Sequence, residues 1–253
     1  MYSSSMPRQM PAQRFQDLVE AATRVFITQG YRRTQMADVA EALGVAKGTL
    51  YLCVESKEAL FDVALRYADV PRPIVAPATL PIPAPGRGRT LRYVQERLAS
   101  DPASPTLREA IGRSRAHASA EELAKIVREL HQAMARNRTG IKLVDRCAVE
   151  YPELARVWFG RGRRALLAQL TTYLESGIRL RRFRAVPDPA VAARLVMETL
   201  VFWAVHRHWD PAPQPVDPRA VEETVVQMLV DALAERTPPG GTRPSARRRR
   251  PLT

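Results

Sequence analysis

Apolar residues recur along most of this chain at the three-and-four spacing of a helix face, and the stretches where that spacing fails are rich in proline. From Pro11 onward, Phe15, Leu18, Val19, Ala22, Val25 and Phe26 share one face of a helix that Gly30 can stop. Met36, Val39, Ala40 and Leu43 repeat the pattern in a second, short helix ended by Gly44. Thr34 or Gln35 stands at its start, and threonine is chemically the better cap. A third helix is predicted from Ala46 to Val54. A fourth begins at the capping Ser56, with Glu58 in its first turn and Leu60, Phe61, Ala64, Leu65 and Ala68 as its inward face.

The pattern then breaks. Residues 70–89 hold Pro71, Pro73, Pro77, Pro81, Pro83 and Pro85, which exclude a helix or a central strand. We read this stretch as a linker and as the boundary between a domain at 12–69 and a larger one at 90–236. Helical spacing returns over residues 90–99, 105–117, 121–150, 153–180, 188–208 and 217–236. Residues 1–11 read as a flexible arm, and 237–253 as a disordered basic tail containing ARRRRP. The fold class expected is all-α, a small N-terminal helical domain followed by a larger C-terminal one.

Composition agrees with helices. Apolar residues make up 45% of the chain but aromatics only 6%, so the cores must be mostly Leu, Val and Ala. The formal net charge is +13, and setting aside Arg243 and Arg247 to Arg250 still leaves +8. Such a surplus favours a polyanionic partner, because neutralising phosphates releases counterions. Cys53 and Cys147 lie far apart, which argues against a disulfide scaffold or a structural zinc site and fits a reducing compartment. No signal peptide or membrane-spanning run is visible, so a cytoplasmic protein is expected.

The richest chemistry lies in residues 34–57, TQMADVAEALGVAKGTLYLCVESK. Two short helices flank Gly44-Val45-Ala46, and Gly44 can take the positive φ of a tight turn. The second helix presents Lys47, Thr49 and Tyr51 outward while Val45 and Leu50 pack inward. That is the layout of a helix-turn-helix, whose second helix enters the major groove of DNA.

The run MADVAEALGVAKGTLYLCVESKEALF, extended back through AATRVFITQGYRRTQ, resembles the DNA-binding domain of the TetR (tetracycline-repressor) family of regulators over about residues 12–68. The resemblance implies a three-helix helix-turn-helix domain joined to a helical ligand-binding and dimerisation domain. It implies a homodimer on double-stranded operator DNA, with Tyr51 and Lys57 reaching phosphates and Lys47, Gly48 and Thr49 nearest base edges and backbone; Thr34 and Gln35, at the start of the preceding helix, complete the candidate DNA-binding set. Three positions depart from the family pattern. Ala46 lacks the hydroxyl often found there, and Cys53 and Val54 replace an aromatic pair. Cys53 is read as a small packed residue rather than a redox switch.

Segment 188–208 is apolar nearly all round, so more than one of its faces must be covered. With segment 217–236 it suggests a four-helix dimer interface, for which Val191, Leu195, Thr199, Phe202, Val221, Val225, Met228 and Leu229 are the candidates. A ligand cavity is sought between 121–150 and 153–180, near Met134, Tyr151, Trp158, Phe159 and Tyr173, for a small hydrophobic or anionic effector. No catalytic set, metal site or cofactor is expected: His117, His131, His206 and His208 form no ligand pattern, and no serine nucleophile, phosphate loop or carboxylate pair stands out. Two other readings stay open at this point, a DNA-binding protein without an effector and a ligand-binding protein whose DNA motif has degenerated.

Overall fold

The computed structural model describes residues 10–100, 103–113 and 117–235. The N-terminal arm before Met10 and the basic tail after Glu235 lie outside them. The architecture is all-α, and the described residues contain no β-strand beyond isolated bridges.

Four helices form the N-terminal part: α1 (Ala12–Gln29), α2 (Met36–Ala42), α3 (Lys47–Tyr51) and α4 (Lys57–Tyr67). Helix α1 is the hub. Its inward face buries Phe15, Leu18, Val19, Ala22, Val25 and Phe26, the residues its periodicity singled out. Phe26 meets Phe61 of α4 edge to face at 5.1 Å, and Phe15 meets Tyr67 the same way at 5.0 Å. Ser56 caps α4 by accepting a hydrogen bond from the Ala59 N–H at 3.2 Å. Helix α3 is shorter than its spacing predicts, because the chain turns at Leu52 and leads Val54 to a bridge with Ile82.

Residues 70–88 are non-helical, but they do not hang free. The Ile82 N–H donates to the Cys53 carbonyl at 2.8 Å, and the Glu55 N–H donates to the Ile82 carbonyl at 3.0 Å. Ile74 and Ile82 are buried in the N-terminal core. Each proline removes a donor, so the segment is held by a few backbone bonds and these apolar anchors.

The remaining chain forms α5 (Arg89–Ser100), α6 (Pro105–Gly112), α7 (Ala120–Arg136), α8 (Arg138–Ala148), α9 (Pro152–Ala155), α10 (Arg164–Arg179), α11 (Pro189–Ala204) and α12 (Pro218–Leu233). The predicted segment 121–150 is thus two helices. The break is Asn137, whose side chain donates to the Ala133 carbonyl at 2.9 Å, the kind of local competition that makes asparagine a poor interior helix residue. The predicted segment 153–180 is continuous, but Arg156–Arg163 is wound as a π-helix between α9 and α10.

Two hydrophobic cores result. One joins α1–α4 with Ile74 and Ile82, and also takes in Leu143, Val144, Cys147 and Ala148 of α8 and Leu154 of α9. The other is built from α6, α7, α10, α11 and α12. The division between cores therefore does not fall at the proline-rich stretch: α8 belongs by sequence to the larger half and by packing to both.

Candidate nucleic-acid interface and cavity

Helix α3 sits on the surface by one anchor. Leu50 is buried, while Lys47, Gly48 and Tyr51 are exposed and Thr49 is half-buried. The turn before it depends on Gly44, which has φ 67°. Ala46 caps nothing with its side chain, so the first N–H groups of α3 lack a side-chain cap. A helix start of this kind suits a phosphate oxygen. Leu52, 62% exposed just after α3, adds an apolar contact surface that the spacing did not flag.

The other predicted DNA-facing residues divide. Gln35 is exposed and is the cap of α2, its N–H donating to the Asp38 carboxylate at 2.8 Å. Thr34 does not face outward: it is 1% exposed, and its hydroxyl donates to the Gly30 carbonyl at 2.7 Å. The better chemical cap is spent inside the turn after α1, which leaves the cap to Gln35. Lys57 is half-buried, with its ammonium donating to the carbonyls of Tyr31 at 3.2 Å and Arg32 at 3.4 Å and lying 4.9 Å from the Tyr31 ring centroid. Its charge stays near the surface, but its first role is to hold the loop between α1 and α2. Burial, with Glu58 adding to it, pushes the Tyr31 phenol up to about 12, so that ring stays neutral.

Other basic groups border this face. Arg14 of α1 shares a small cleft with Thr49 and Cys53 beside α3. Arg32 and Arg33 are exposed in the loop ahead of α2. Periodicity could not single them out, since exposed arginines leave no apolar signal; the pair RR before Thr34 was the one visible hint. Cys53 is half-buried, its thiol donating to the Thr49 carbonyl at 3.5 Å, and burial raises its pKa, so the thiolate is disfavoured.

A cavity of about 850 Å³ opens between α5, the junction of α7 and α8, and the π-helix. Met134 and Trp158 are among its lining residues. Tyr151, Phe159 and Tyr173 lie elsewhere. Tyr151 stacks on Tyr31 at 5.0 Å, Phe159 packs against the N-terminal core, and Tyr173 is buried against Phe183 at 5.5 Å. Ring size alone does not distinguish a cavity wall from a core. The π turn contributes Val157, Trp158, Arg161, Gly162 and Arg163 to the cavity wall. Helix α8 contributes Gly140, Ile141, Val144 and Asp145.

The outer face of α11 carries Val191, Leu195 and Phe202, with Leu195 63% exposed and Thr199 half-buried beside them. Met228 of α12 is 68% exposed and Leu229 half-buried. Val221 and Val225 point the other way, into the core with α7 and α11. Helical spacing identifies an apolar face but cannot say which of two apolar faces turns inward. Among the described residues no three His, Cys, Asp or Glu side chains gather as a metal site, and no helix is long and apolar enough to cross a membrane.

Residues 18–64 match the family model described as "Bacterial regulatory proteins, tetR family". No curated protein matches the chain. Among solved structures, the ketosteroid transcriptional regulator KstR2 of Mycobacterium tuberculosis is similar, with 17% identity over 92% of this chain and 100% of that one and a TM-score of 0.55. So is a bacterial regulatory protein in the tetR family from Rhodococcus RHA1, with 17% identity over 88% of this chain and 97% of that one and a TM-score of 0.50. At such identities these structures speak for the fold, and the matched segment covers α2, α3 and most of α1 and α4. Residues 18–64 thus carry the amino-terminal domain that this family model describes, on a helical body whose fold the two solved regulators share.

Proposed function

We propose that this protein is a cytoplasmic, homodimeric transcriptional regulator that binds a palindromic operator through α3, represses by occupying the promoter, and lets go when a small effector fills the cavity. The observation that carries the reading is the exposure of Lys47, Gly48 and Tyr51 on a short helix anchored by Leu50 alone, in a chain of net charge +13. Lysine, hydroxyl and amide donors on such a helix fit the phosphates and base edges of a major groove. The apolar strip Val191, Leu195, Phe202 and Met228 supports a two-fold partner, which would present two such helices one turn of the duplex apart. Helix α8 supports the effector step: one side lines the cavity, the other belongs to the core of the DNA-binding domain. An effector that prefers a different placement of α8 would shift the equilibrium between two spacings of the recognition helices.

The test is selection of genomic fragments by the purified protein, followed by a gel shift on the fragments recovered. Recovery of an inverted repeat with half-sites about 10 base pairs or a multiple apart is expected. Indifference to every duplex would refute the reading.

A further inference from the structure

The cavity wall is chemically lopsided. Its apolar lining includes Val94, Met134, Ile141, Val144, Trp158 and Met197. Its charged lining includes Arg97, Arg108, Arg161 and Arg163 against Asp69 and Asp145. Both aspartates are already committed. Asp69 accepts the N–H groups of Thr139 and Gly140 at the start of α8, at 2.9 and 2.7 Å. Asp145 accepts the indole N–H of Trp158 at 3.1 Å and lies 3.9 Å from Arg163. The arginines are not matched in the same way. Among the described residues, Arg97, Arg108 and Arg161 have no carboxylate within ion-pair distance; Arg97 reaches only the Asn137 side-chain oxygen, at 2.8 Å. Arg163 pairs with Glu198, yet its Nε is buried with no hydrogen-bond partner.

From this imbalance we infer that the effector is an amphipathic anion, an apolar body bearing a carboxylate or phosphate group held by Arg97, Arg108 and Arg161. The inference rests on the regulatory reading of the cavity and names the chemical class of its ligand. A volume of about 850 Å³ suits a body of drug or lipid size. The planar guanidinium fork is the side chain best matched to an oxyanion, and Arg97, Arg108 and Arg161 are all exposed. The π-helix supplies both kinds of lining to one cavity, the apolar Trp158 and the cationic Arg161.

The experiment uses the full chain and four dodecyl probes below their micellar concentrations: dodecanoate, dodecyl phosphate, dodecanol and dodecyltrimethylammonium. Binding is read by calorimetry and by tryptophan fluorescence, since Trp158 borders the cavity. One or both anions should bind at least tenfold tighter than the alcohol, and the cation weakest. The pair of anions separates a carboxylate from a phosphate preference. Arg97→Ala, Arg108→Ala and Arg161→Ala should each bring anion affinity toward that of the alcohol while circular dichroism and Tm stay those of the parent protein. If one variant loses its fold, Arg→Gln at the same position takes its place. Equal binding of all four probes, binding of none, or anion affinity unchanged in the arginine variants would each overturn the inference. DNA binding is measured separately: a probe that binds as expected but leaves DNA affinity unaltered counts against regulation, not against the ligand class.

Discussion

Arg146 donates to the carbonyl oxygen of Gln29 at 2.7 Å, linking α8 to the last turn of α1 across 117 positions of sequence. The same guanidinium donates to Glu150 at 3.1 Å, and the other oxygen of Glu150 accepts the N–H of Arg32 at 3.0 Å. The last carbonyls of a helix have no partner within it, and a cation there also faces the negative end of the helix dipole. One ion pair thus holds the turn between α1 and α2 from both sides. Gly30 lies between them at φ 86°, where a Cβ would stand 2.6 Å from Glu150 Oε2. Arg146→Ala should therefore cost about 1–2 kcal/mol of stability, the range for a charge-assisted hydrogen bond that is partly exposed. Gly30→Ala should cost about 1–3 kcal/mol, from backbone strain and the displaced carboxylate together. Urea unfolding measures both, and a Gly30→Ala protein as stable as its parent would show that the clamp can open at no cost.

How much of this was legible beforehand depended on the kind of signal. The helix faces of α1, α2 and α4 were readable because burying an apolar stripe requires it to recur with the helix period. The exposed side of α3 was readable because Leu50 had to be its anchor and its neighbours in sequence then point away. Two features had no such signature. The clamp of Arg146 and Glu150 on residues 29–32 is long-range and polar, and no spacing rule relates the two segments. The cavity is empty space, set by the way α5 and the π-helix stand apart, so Tyr151 and Tyr173 looked like wall candidates and are packed rings instead. For α12 the sequence identified apolar positions but not their sense, and Val221 and Val225 are turned into the core.

Lys47 and Lys57 should behave differently when removed. Lys47 is exposed at the start of α3 and makes no hydrogen bond or ion pair among the described residues. Lys47→Ala should weaken DNA binding and lower the salt slope of log K by about one, with Tm unchanged. Arg14→Ala, beside α3, should do the same. Lys57→Ala should lower Tm as well, because its ammonium ties together the Tyr31 and Arg32 carbonyls. Equal effects of the two lysines on Tm would argue that Lys57 is a phosphate contact and nothing more.

The strip on α11 makes a prediction about assembly. Leu195→Glu or Val191→Glu places a charge on a face already open to solvent in the single chain, so the subunit's own fold should tolerate it. In a dimer the same charge would be buried without a partner, at a cost of several kcal/mol. Sedimentation velocity should show a dimer for the parent and a monomer for either variant, with helical content retained. Val225→Glu should instead unfold the C-terminal core, since that side chain is enclosed by α7 and α11. A monomeric parent protein would remove the basis of the prediction.

His131 connects stability to pH where α7 meets α12. Its ring is buried, its Nδ1 lies 3.6 Å from Glu222 Oε2, and neither ring nitrogen has a hydrogen-bond partner among the described residues. Arg128 shares the same glutamate at 3.6 Å, Gln132 donates to it at 3.0 Å, and Arg207 adds a second positive charge nearby. Burial lowers the pKa of the imidazole more than Glu222 raises it, so the folded protein holds His131 neutral. The unfolded chain titrates near the ordinary value of about 6.5 and binds a proton that the folded chain resists. Stability is therefore present in full above that value, falls as pH drops below it, and levels off beneath the lowered folded value. His206 and His208 are lowered by burial too and carry the same sign. Between pH 7 and pH 5 the Tm should decline, and His131→Gln should flatten that decline. The check is a set of thermal melts across the interval for parent and variant at fixed ionic strength. A variant whose Tm is lower at every pH but falls just as steeply would place the proton linkage on the other two histidines.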